Sequence, residues 1–313
     1  MIKRILRHET ILALLTVIVL AILAYQSDKF FTVDNLLNQG RLMTEVGLVA
    51  VIMTFVIVTG GIDLSVGSIV GLTAILTGVF WKSLGLPLPL AAFAAIACGT
   101  FGGFMNGVII TRFKVPPLIA TLATLALYRG LAEGISQARS VRGYPESFYV
   151  LGQGNMLGVP TQLWLLIITA IVAGVVLGYT RWGRTVYAIG SNEVAARFSG
   201  LPVDRAKLAV YTASGFAAAV AGVILVSRVS TTRSDMGTGL ELDAITAVVL
   251  GGTSIFGGRG TVIGTLLGLI LIQALKNGLS LAGIKGDGTI VLIGVVLILT
   301  ILISNIVHRD GNR

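Results

Sequence analysis

Charged residues are scarce in this chain: Asp, Glu, Lys and Arg make up 12% of its 313 residues, hydrophobic residues make up 55%, and the mean hydropathy is +0.92. Soluble globular proteins carry roughly 25% charged residues. The composition excludes a soluble enzyme, a disordered chain and a secreted disulfide-rich domain. A helix needs about 20 mostly apolar residues to cross a bilayer, so the chain has room for roughly ten crossings. We therefore expect an all-α polytopic membrane protein, with residues 1–313 forming a single transmembrane domain.

Cysteine and histidine are almost absent. The chain has one cysteine, Cys98, so it cannot form an internal disulfide, and we interpret Cys98 as a small core residue. The two histidines, His8 and His308, lie near opposite termini, which leaves none inside the bundle for a metal site or a catalytic base. The phosphate-loop pattern Gly-x-x-x-x-Gly-Lys-Ser/Thr is also missing. We expect no catalytic residue, no metal and no cofactor bound by this chain.

The net charge of +9 comes from 23 Lys and Arg against 14 Asp and Glu. No segment combines a dense basic patch with interleaved aromatic residues, so we do not expect a nucleic-acid partner. Membrane proteins carry their basic excess in cytoplasmic loops. With a cytoplasmic basic N-terminus and ten crossings, both termini and the densest basic cluster, within 181–207, are predicted to be cytoplasmic.

Ten apolar runs predict the crossings. The first, 11–25, follows a basic start and lacks an Ala-x-Ala cleavage site, so it is interpreted as an uncleaved helix. The other nine lie near 42–59, 66–80, 88–111, 116–136, 162–180, 206–227, 241–256, 261–280 and 289–306.

Glycine is frequent, with 40 residues in the chain. Small residues let helices approach closely in lipid. Several glycines are spaced by four residues and predict close packing of the bundle: Gly67 and Gly71; Gly99, Gly103 and Gly107; Gly174 and Gly178; and Gly264 and Gly268.

Two glycine-rich segments, 59–68 and 250–261, interrupt the apolar pattern between short runs. Irregular backbone at membrane depth is tolerated only where it is buried in protein or lines a watery cavity. We therefore expect broken helices or tight turns there. In the first segment, Asp63 either caps the following helix or faces a polar pathway.

The longest predicted cytoplasmic segment, 181–207, contains signals for a short helix of about eight residues. Ser191 is a candidate N-cap and Glu193 favours the first turn. Gly200 suits the position past the last turn, and Pro202 prevents continuation.

This short helix has the features of a segment that inserts into a groove on a partner protein. Val194 and Phe198 lie four residues apart on one face, with Arg197 beside them. A helix lying flat on the lipid surface is the alternative, but eight residues offer little apolar area. The candidate coupling residues are Ser191, Asn192, Glu193, Val194, Arg197, Phe198 and Gly200.

Polar residues, mostly hydroxyls and amides without a strong charge bias, predict a path for a neutral polyhydroxyl solute, which must be bound weakly to be released. Hydrogen bonding between helices is the alternative role. The candidates are Asp63, Ser65, Asn106, Thr121, Thr124, Tyr128, Asp243, Thr246, Gln273 and Asn277.

Acidic residues leave a second function open. An ion-coupled secondary transporter would use Asp63 or Glu133 as its coupling acid. Glu241 and Asp243 are two residues apart near a predicted helix start, so they point in different directions and do not form an acid–base pair. A membrane scaffold without transport activity fits less well, because polar breaks interrupt the bundle.

Four ordered motifs, at 59–68, 115–124, 188–200 and 241–261, resemble those of the permeases of ribose-type bacterial ABC importers, and the similarity covers nearly the whole chain. The resemblance implies the ABC importer permease fold in the bacterial inner membrane. It implies a second permease copy or a paralogue, with the pore between them, and a coupling segment at Ser191–Gly200. Cytoplasmic ATP-binding subunits would hold ATP and Mg, and a periplasmic protein would deliver the sugar. Membrane lipid is the remaining expected partner. The segment 228–237 looks closer to the rhamnose and autoinducer-2 branches than to ribose.

Overall fold

A computed structural model describes residues 2–137 and 139–284, together with residues 288, 291, 294, 295 and 298. The predicted run at 289–306 and the C-terminal His308 lie almost entirely outside the described residues. The helices whose two ends are described are α1 (Ile2–Gln26), α2 (Val33–Val58), α3 (Val66–Gly78), α4 (Leu88–Arg112), α5 (Pro117–Ser136), α6 (Glu146–Gly152), α7 (Thr161–Tyr179), α8 (Arg181–Ser191), α9 (Glu193–Phe198), α10 (Val203–Val229), α11 (Leu240–Leu250) and α12 (Val262–Leu281). A π-helical turn, Val79–Ser83, extends α3, and a small hairpin pairs β1 (Asn155–Met156) with β2 (Val159–Pro160).

Seven helices in the described part of the chain are long and apolar enough to cross a membrane. They are α2, α4, α5, α7, α10, α12 and α3 together with its π-helical turn; the apolar part of α1, Leu12–Gln26, is shorter. The all-α polytopic prediction is confirmed. The prediction of a helical crossing at 241–256 is wrong, because α11 ends at Leu250 and has 11 residues. At 1.5 Å per residue it is about 16 Å long, roughly half the hydrocarbon thickness.

Long-range contacts define two ends of the bundle. At one end, called the α9 end, Gly258 N donates to Val58 O over 2.9 Å, Tyr187 Oη to Gly260 O over 2.6 Å, and Lys114 contacts Asp204. The α9 end contains residues 58–61, 109–116, 180–207 and 251–262. At the opposite end Asn35 and Asn277 exchange side-chain hydrogen bonds, and Thr232 N donates to Val141 O.

Helix α10 lies at the centre of the bundle and packs most closely against α4. A Cβ added at Gly103 would lie 2.7 Å from the Cα of Gly215, so both glycines are required for the two backbones to approach. The predicted packing of the Gly99, Gly103 and Gly107 stripe is confirmed. The prediction of close packing is wrong for Gly174 and Gly178 within the described chain, since a Cβ added at either residue would meet nothing within 4 Å.

The chain between α10 and α12 crosses the bundle in two unlike parts. Helix α10 ends at Val229 and is capped by Ser230, whose φ is 59°. Residues 231–239 then run inward without regular helix until Gly237 touches the first turn of α3 at Gly67. Helix α11 covers the rest of the way, and the following segment meets α8, where Gly257 abuts Gly190. The apolar run at 241–256 is therefore half of a broken crossing followed by a turn at the α9 end.

Candidate functional site: the coupling segment and the buried polar core

Helix α8 holds the coupling segment against the bundle. Thr180 caps it, its hydroxyl accepting a bond of 3.1 Å from Gly183 N. Gly190 leaves no room for a Cβ, because the carbonyl oxygen of Val58 and the amide of Gly258 lie directly against it. The close approach fixes α8 to the end of α2 and to the 251–261 segment, so the helix that follows starts from a rigid base.

Helix α9 is shorter than predicted and begins one residue later. Asn192, not Ser191, is its N-cap: the Asn192 side chain accepts a bond of 2.9 Å from Ala195 N. Ser191 instead ends α8 and donates to Tyr187 O. The predicted end is correct, since Gly200 adopts a φ of 77° and Leu201 N donates to Ala196 O over 3.1 Å, a C-cap pattern.

The apolar face of α9 is unpartnered in the described chain. Phe198 is 90% exposed and Val194 is 64% exposed, although both are large hydrophobic residues. On its other face Ala196 is buried against Ile189 and Val203. The helix is thus anchored through one small residue and presents its two large ones outward.

An ion-pair network, formed by Lys114, Glu193, Arg197, Asp204 and Lys207, ties α9 to two membrane helices. Arg197 donates 3.0 and 2.8 Å bonds to the two Asp204 oxygens and a 3.2 Å bond to Glu193. Lys114, just past α4, also contacts Asp204 at 2.9 Å, and Lys207 contacts Glu193 at 2.5 Å. Partial burial favours the neutral acid, but the bonds from Lys207 and Arg197 outweigh it and hold the pKa of Glu193 below its ordinary value. The Arg197 guanidinium is therefore engaged within the chain.

Five predicted pathway residues form one buried polar core. Asp63 accepts bonds from Ser65 N (3.0 Å) and Ser65 Oγ (2.6 Å) on one oxygen and from Ser214 Oγ (2.7 Å) on the other. Asn106 donates to Ser65 Oγ over 2.7 Å. The other two members, Thr121 and Tyr128, donate to Ile62 O (3.1 Å) and Gly102 O (2.9 Å).

The polar core joins the 59–65 segment to α4, α5 and α10. Its side chains are at most 7% exposed, so they are enclosed by this chain. Asp63 does not cap α3: the N-cap position is Ser65, which makes no side-chain cap bond. The carboxylate instead holds the turn before α3 and ties it to Ser214 on α10.

The side chains of the remaining predicted pathway residues bond to groups other than the side chains of this core. Thr124 and Thr246 donate to carbonyls of their own helices, and Asn277 pairs with Asn35 at the opposite end. Asp243 contacts Lys276 of α12 at 2.5 Å, and Gln273 donates to Gln39. As predicted, Glu241 points elsewhere than Asp243: its carboxylate lies against Gly67.

Sequence reasoning missed three basic residues inside the bundle. Arg129 of α5 donates to Ser234 O (2.5 Å), Met236 O (2.9 Å) and Gly67 O (3.4 Å), which fastens the 231–239 segment to α3 and α5. Lys276 pairs with Asp243, and Arg228 with the buried Glu45 at 2.7 Å. The available signal was a basic residue inside an apolar run, as for Arg129 and Lys276, or directly after one, as for Arg228, since charges are retained there when paired or functional.

Among the residues that the structure describes, no three His, Cys, Asp or Glu side chains come close enough to hold a metal ion. Cys98 is exposed, so its assignment to the core is wrong.

The model of the family described as the branched-chain amino acid transport system permease component matches residues 35–301. The chain belongs to this permease family. The permease is 40% identical over 306 residues to the ribose import permease protein RbsC of Escherichia coli K12, covering 95% of this chain and 93% of the relative. It is 40% identical to the ribose import permease protein RbsC of Bacillus subtilis, over 92% of this chain and 89% of the relative. It is 37% identical to the autoinducer 2 import system permease protein LsrD of Escherichia coli O9:H4, over 97% and 94%. No solved structure matches the permease.

These relatives confirm the expected ABC importer permease, a multi-pass transport subunit of the bacterial inner membrane and not an enzyme. They give no support to an ion-coupled secondary transporter. Identities of 40% and 37% do not favour the autoinducer-2 branch over the ribose branch.

Proposed function

We propose that this permease forms the translocation pathway for a monosaccharide or a similar small neutral polyol, of the ribose, rhamnose or autoinducer-2 type. The observation that carries the proposal is the outward face of α9, where Phe198 and Val194 stand exposed on a helix clamped to α4 and α10. A short helix that has an exposed apolar face and is fixed to the bundle by ion pairs is suited to bind another protein and to transmit its movement. The names of the relatives support the substrate class.

The partners follow from this role. An ATP-binding subunit with ATP and Mg would contact α9 from the cytoplasm, and a periplasmic substrate-binding protein would deliver the solute at the opposite end. A second copy of this chain or a paralogue would complete the pore between two permeases. Membrane lipid would cover the remaining apolar surface, and we expect no nucleic-acid partner.

The topology we propose has ten crossings with both termini in the cytoplasm. The broken crossing at 231–250 counts as the eighth, and 289–306 would supply the tenth. The α9 end would face the cytoplasm, which agrees with its basic residues Arg112, Arg181, Arg184, Arg205 and Arg259.

In the proposed coupling mechanism, Phe198 and Val194 receive the partner's movement and the ion-pair network transmits it. Arg197 passes the displacement to Asp204 at the start of α10, and Asp204 passes it to Lys114 after α4. Arg197 would act within this chain, connecting α9 to the start of α10. The polar core of Asp63, Ser65, Asn106, Thr121 and Tyr128 lies where these helices meet, and we propose that it borders the pathway when they separate.

The experiment measures uptake and ATP hydrolysis together, with the complete importer in proteoliposomes. The variant Phe198→Ala with Val194→Ala should leave the protein folded but abolish most ATP-dependent uptake and its link to hydrolysis. The matched control, Ile171→Ala with Val175→Ala, removes two exposed apolar side chains, also four residues apart, from α7, away from α9, and should transport normally. Normal coupled uptake in the α9 variant would contradict the proposed role of α9.

The energy source is tested in the same vesicles. Uptake should stop on ATP depletion and continue with a protonophore present. Uptake that stops with the protonophore while ATP is abundant would restore the ion-coupled alternative, for which Asp63 and Glu133 are the acids to examine.

A further inference from the structure

A groove of about 500 Å³ lies on the outer surface of the bundle between α4 and α10. Its lining includes Phe104, Arg205, Leu208, Ala209, Thr212 and Phe216. Nothing in the coupling segment or the polar core uses this surface.

The residues contributed by α10 lie on one face of the helix, since 205, 208, 209, 212, 213 and 216 follow the i, i+3, i+4, i+7, i+8 pattern of a helical stripe. From Arg205 to Phe216 the stripe is about 16 Å long at 1.5 Å per residue. That length is roughly half of the ~30 Å hydrocarbon core, so the groove spans one leaflet. Arg205 lies at its α9 end, and Phe216, 52% exposed, lies at its other end near mid-membrane.

The floor of the groove is apolar despite its two threonines. Thr100 donates to Ile96 O and Thr212 to Leu208 O, each over 2.7 Å, so both hydroxyls are satisfied within their own helices. A polar solute would find no hydrogen-bond donor there to replace its water. The floor suits a hydrocarbon chain.

The mouth of the groove carries a positive charge that the described chain leaves without a carboxylate. Lys114, Arg197 and Lys207, at the same end, each contact an acidic side chain. Arg205 is exposed and has no ion pair among the described residues. A cation at headgroup depth above an apolar slot complements an anionic headgroup joined to an acyl chain.

We propose that this groove binds one anionic glycerophospholipid, with an acyl chain between α4 and α10 and its phosphate on Arg205. The lipid bridges the two helices that Lys114 and Asp204 connect, and so it is placed to influence their separation. The proposal uses the proposed function only to assign the lipid to the cytoplasmic leaflet. Lipid binding is measured without transport, so a failure of the proposed function leaves this test intact.

The experiment is native mass spectrometry of the permease, purified in the assembly in which it is extracted, with added phosphatidylglycerol or phosphatidylcholine. Wild-type protein should retain phosphatidylglycerol in preference to phosphatidylcholine. Arg205→Gln should weaken phosphatidylglycerol retention by about fivefold, the effect of one basic residue near an anionic surface, and Arg205→Lys should preserve it. Ala209→Phe fills the exposed slot without changing charge and should weaken retention of the same lipid.

Arg184→Gln is the matched control, because it removes an exposed basic residue of the α9 end that does not line the groove. It should retain lipid as the wild type does, and thermal unfolding should show that all variants are folded. Equal loss with Arg184→Gln, or unchanged binding in Ala209→Phe, would overturn the proposal, since the lipid would then be held by surface charge alone. Equal retention of phosphatidylcholine would overturn the anionic preference. Cross-linking of two copies through Thr212→Cys would show that protein occupies the groove instead.

Discussion

At the scale of single residues, Asp63 shows how a charge is accommodated at membrane depth. Its two oxygens accept three bonds, two from Ser65 and one from Ser214, and the side chain is fully buried. The bonds fix the irregular 59–65 segment before α3, whose backbone would otherwise lack partners in lipid. The same residue was predicted to be a cap, a pathway group or a coupling acid, and its contacts favour a positioning role.

Asp63→Ala should destabilise the permease much more than Asp63→Asn. The alanine leaves buried donors of Ser65 and Ser214 without acceptors, at about 1–3 kcal/mol for each group. Asparagine keeps one acceptor oxygen, and the Ser214 hydroxyl can rotate to accept from its amide. The measurement is thermal unfolding in detergent, with uptake recorded for the folded variants. Asp63→Asn that is stable yet loses uptake would instead favour a pathway or coupling role.

Arg197 and Asp204 provide a charge-swap test of the ion-pair network. Arg197→Asp or Asp204→Arg alone places like charges together and should uncouple hydrolysis from uptake. The double variant Arg197→Asp with Asp204→Arg restores opposite charges and should recover part of the coupling. Full recovery is not expected, because Lys114 and Glu193 would then face like charges. A double variant as defective as the worse single variant would argue that Arg197 serves the partner directly.

At the scale of elements, apolar runs predicted most helices well. The runs at 88–111, 116–136 and 261–280 correspond to Leu88–Arg112, Pro117–Ser136 and Val262–Leu281. Hydropathy reports burial in lipid and not backbone conformation, so it could not show that 231–239 crosses the bundle without regular helix. It also placed the start of α2 near 42 and not at Val33, because the first turns of that helix contain polar residues at the opposite end.

Arg129 holds this broken crossing, and its removal should release the segment. Arg129→Met leaves the carbonyls of Ser234, Met236 and Gly67 without their donor, whereas Arg129→Lys keeps the charge and part of the bonding. In a Cys98→Ala background, we expect lower thermal stability and faster maleimide labelling of a Thr238→Cys reporter in the methionine variant, with the lysine variant intermediate.

The matched control for Arg129 is Arg233→Met. Arg233 is exposed and pairs with Asp235 in the same segment, so its loss should change little, as for most surface ion pairs. Equal labelling rates in Arg129→Met and the wild type would show that the segment is held by its glycine contacts with α3 and does not need the guanidinium.

At the scale of the whole molecule, the sequence could predict the all-α membrane class and which loops share an end of the bundle. It could not predict the contacts between residues that are far apart in the chain. The short helix near 191–200 was predicted from local capping signals, which act within a few residues. The bonds from Arg129 to the 231–239 segment, from Lys276 to Asp243 and from Arg228 to Glu45 join distant parts of the chain, so only the fold reveals them. The polar core lies between these extremes: its members were identified singly, and the structure brings five of them together.

The proposed topology makes a prediction that tests the arrangement of all crossings. In a Cys98→Ala background, Ala195→Cys on α9 should react with a membrane-impermeant maleimide only after cells are permeabilised, while Ser147→Cys on α6 should react in intact spheroplasts. Both positions are exposed and lie at opposite ends of the bundle. A reporter fused after Arg313 should be cytoplasmic, because ten crossings return the chain to the side on which it began. Labelling of Ala195→Cys from outside would show that the bundle has the opposite orientation in the membrane. The apolar face of α9 would then lie away from any ATP-binding subunit, and the proposed coupling would have no basis. An external C-terminal reporter with an internal Ala195→Cys would leave the coupling segment in place and contradict the tenth crossing alone.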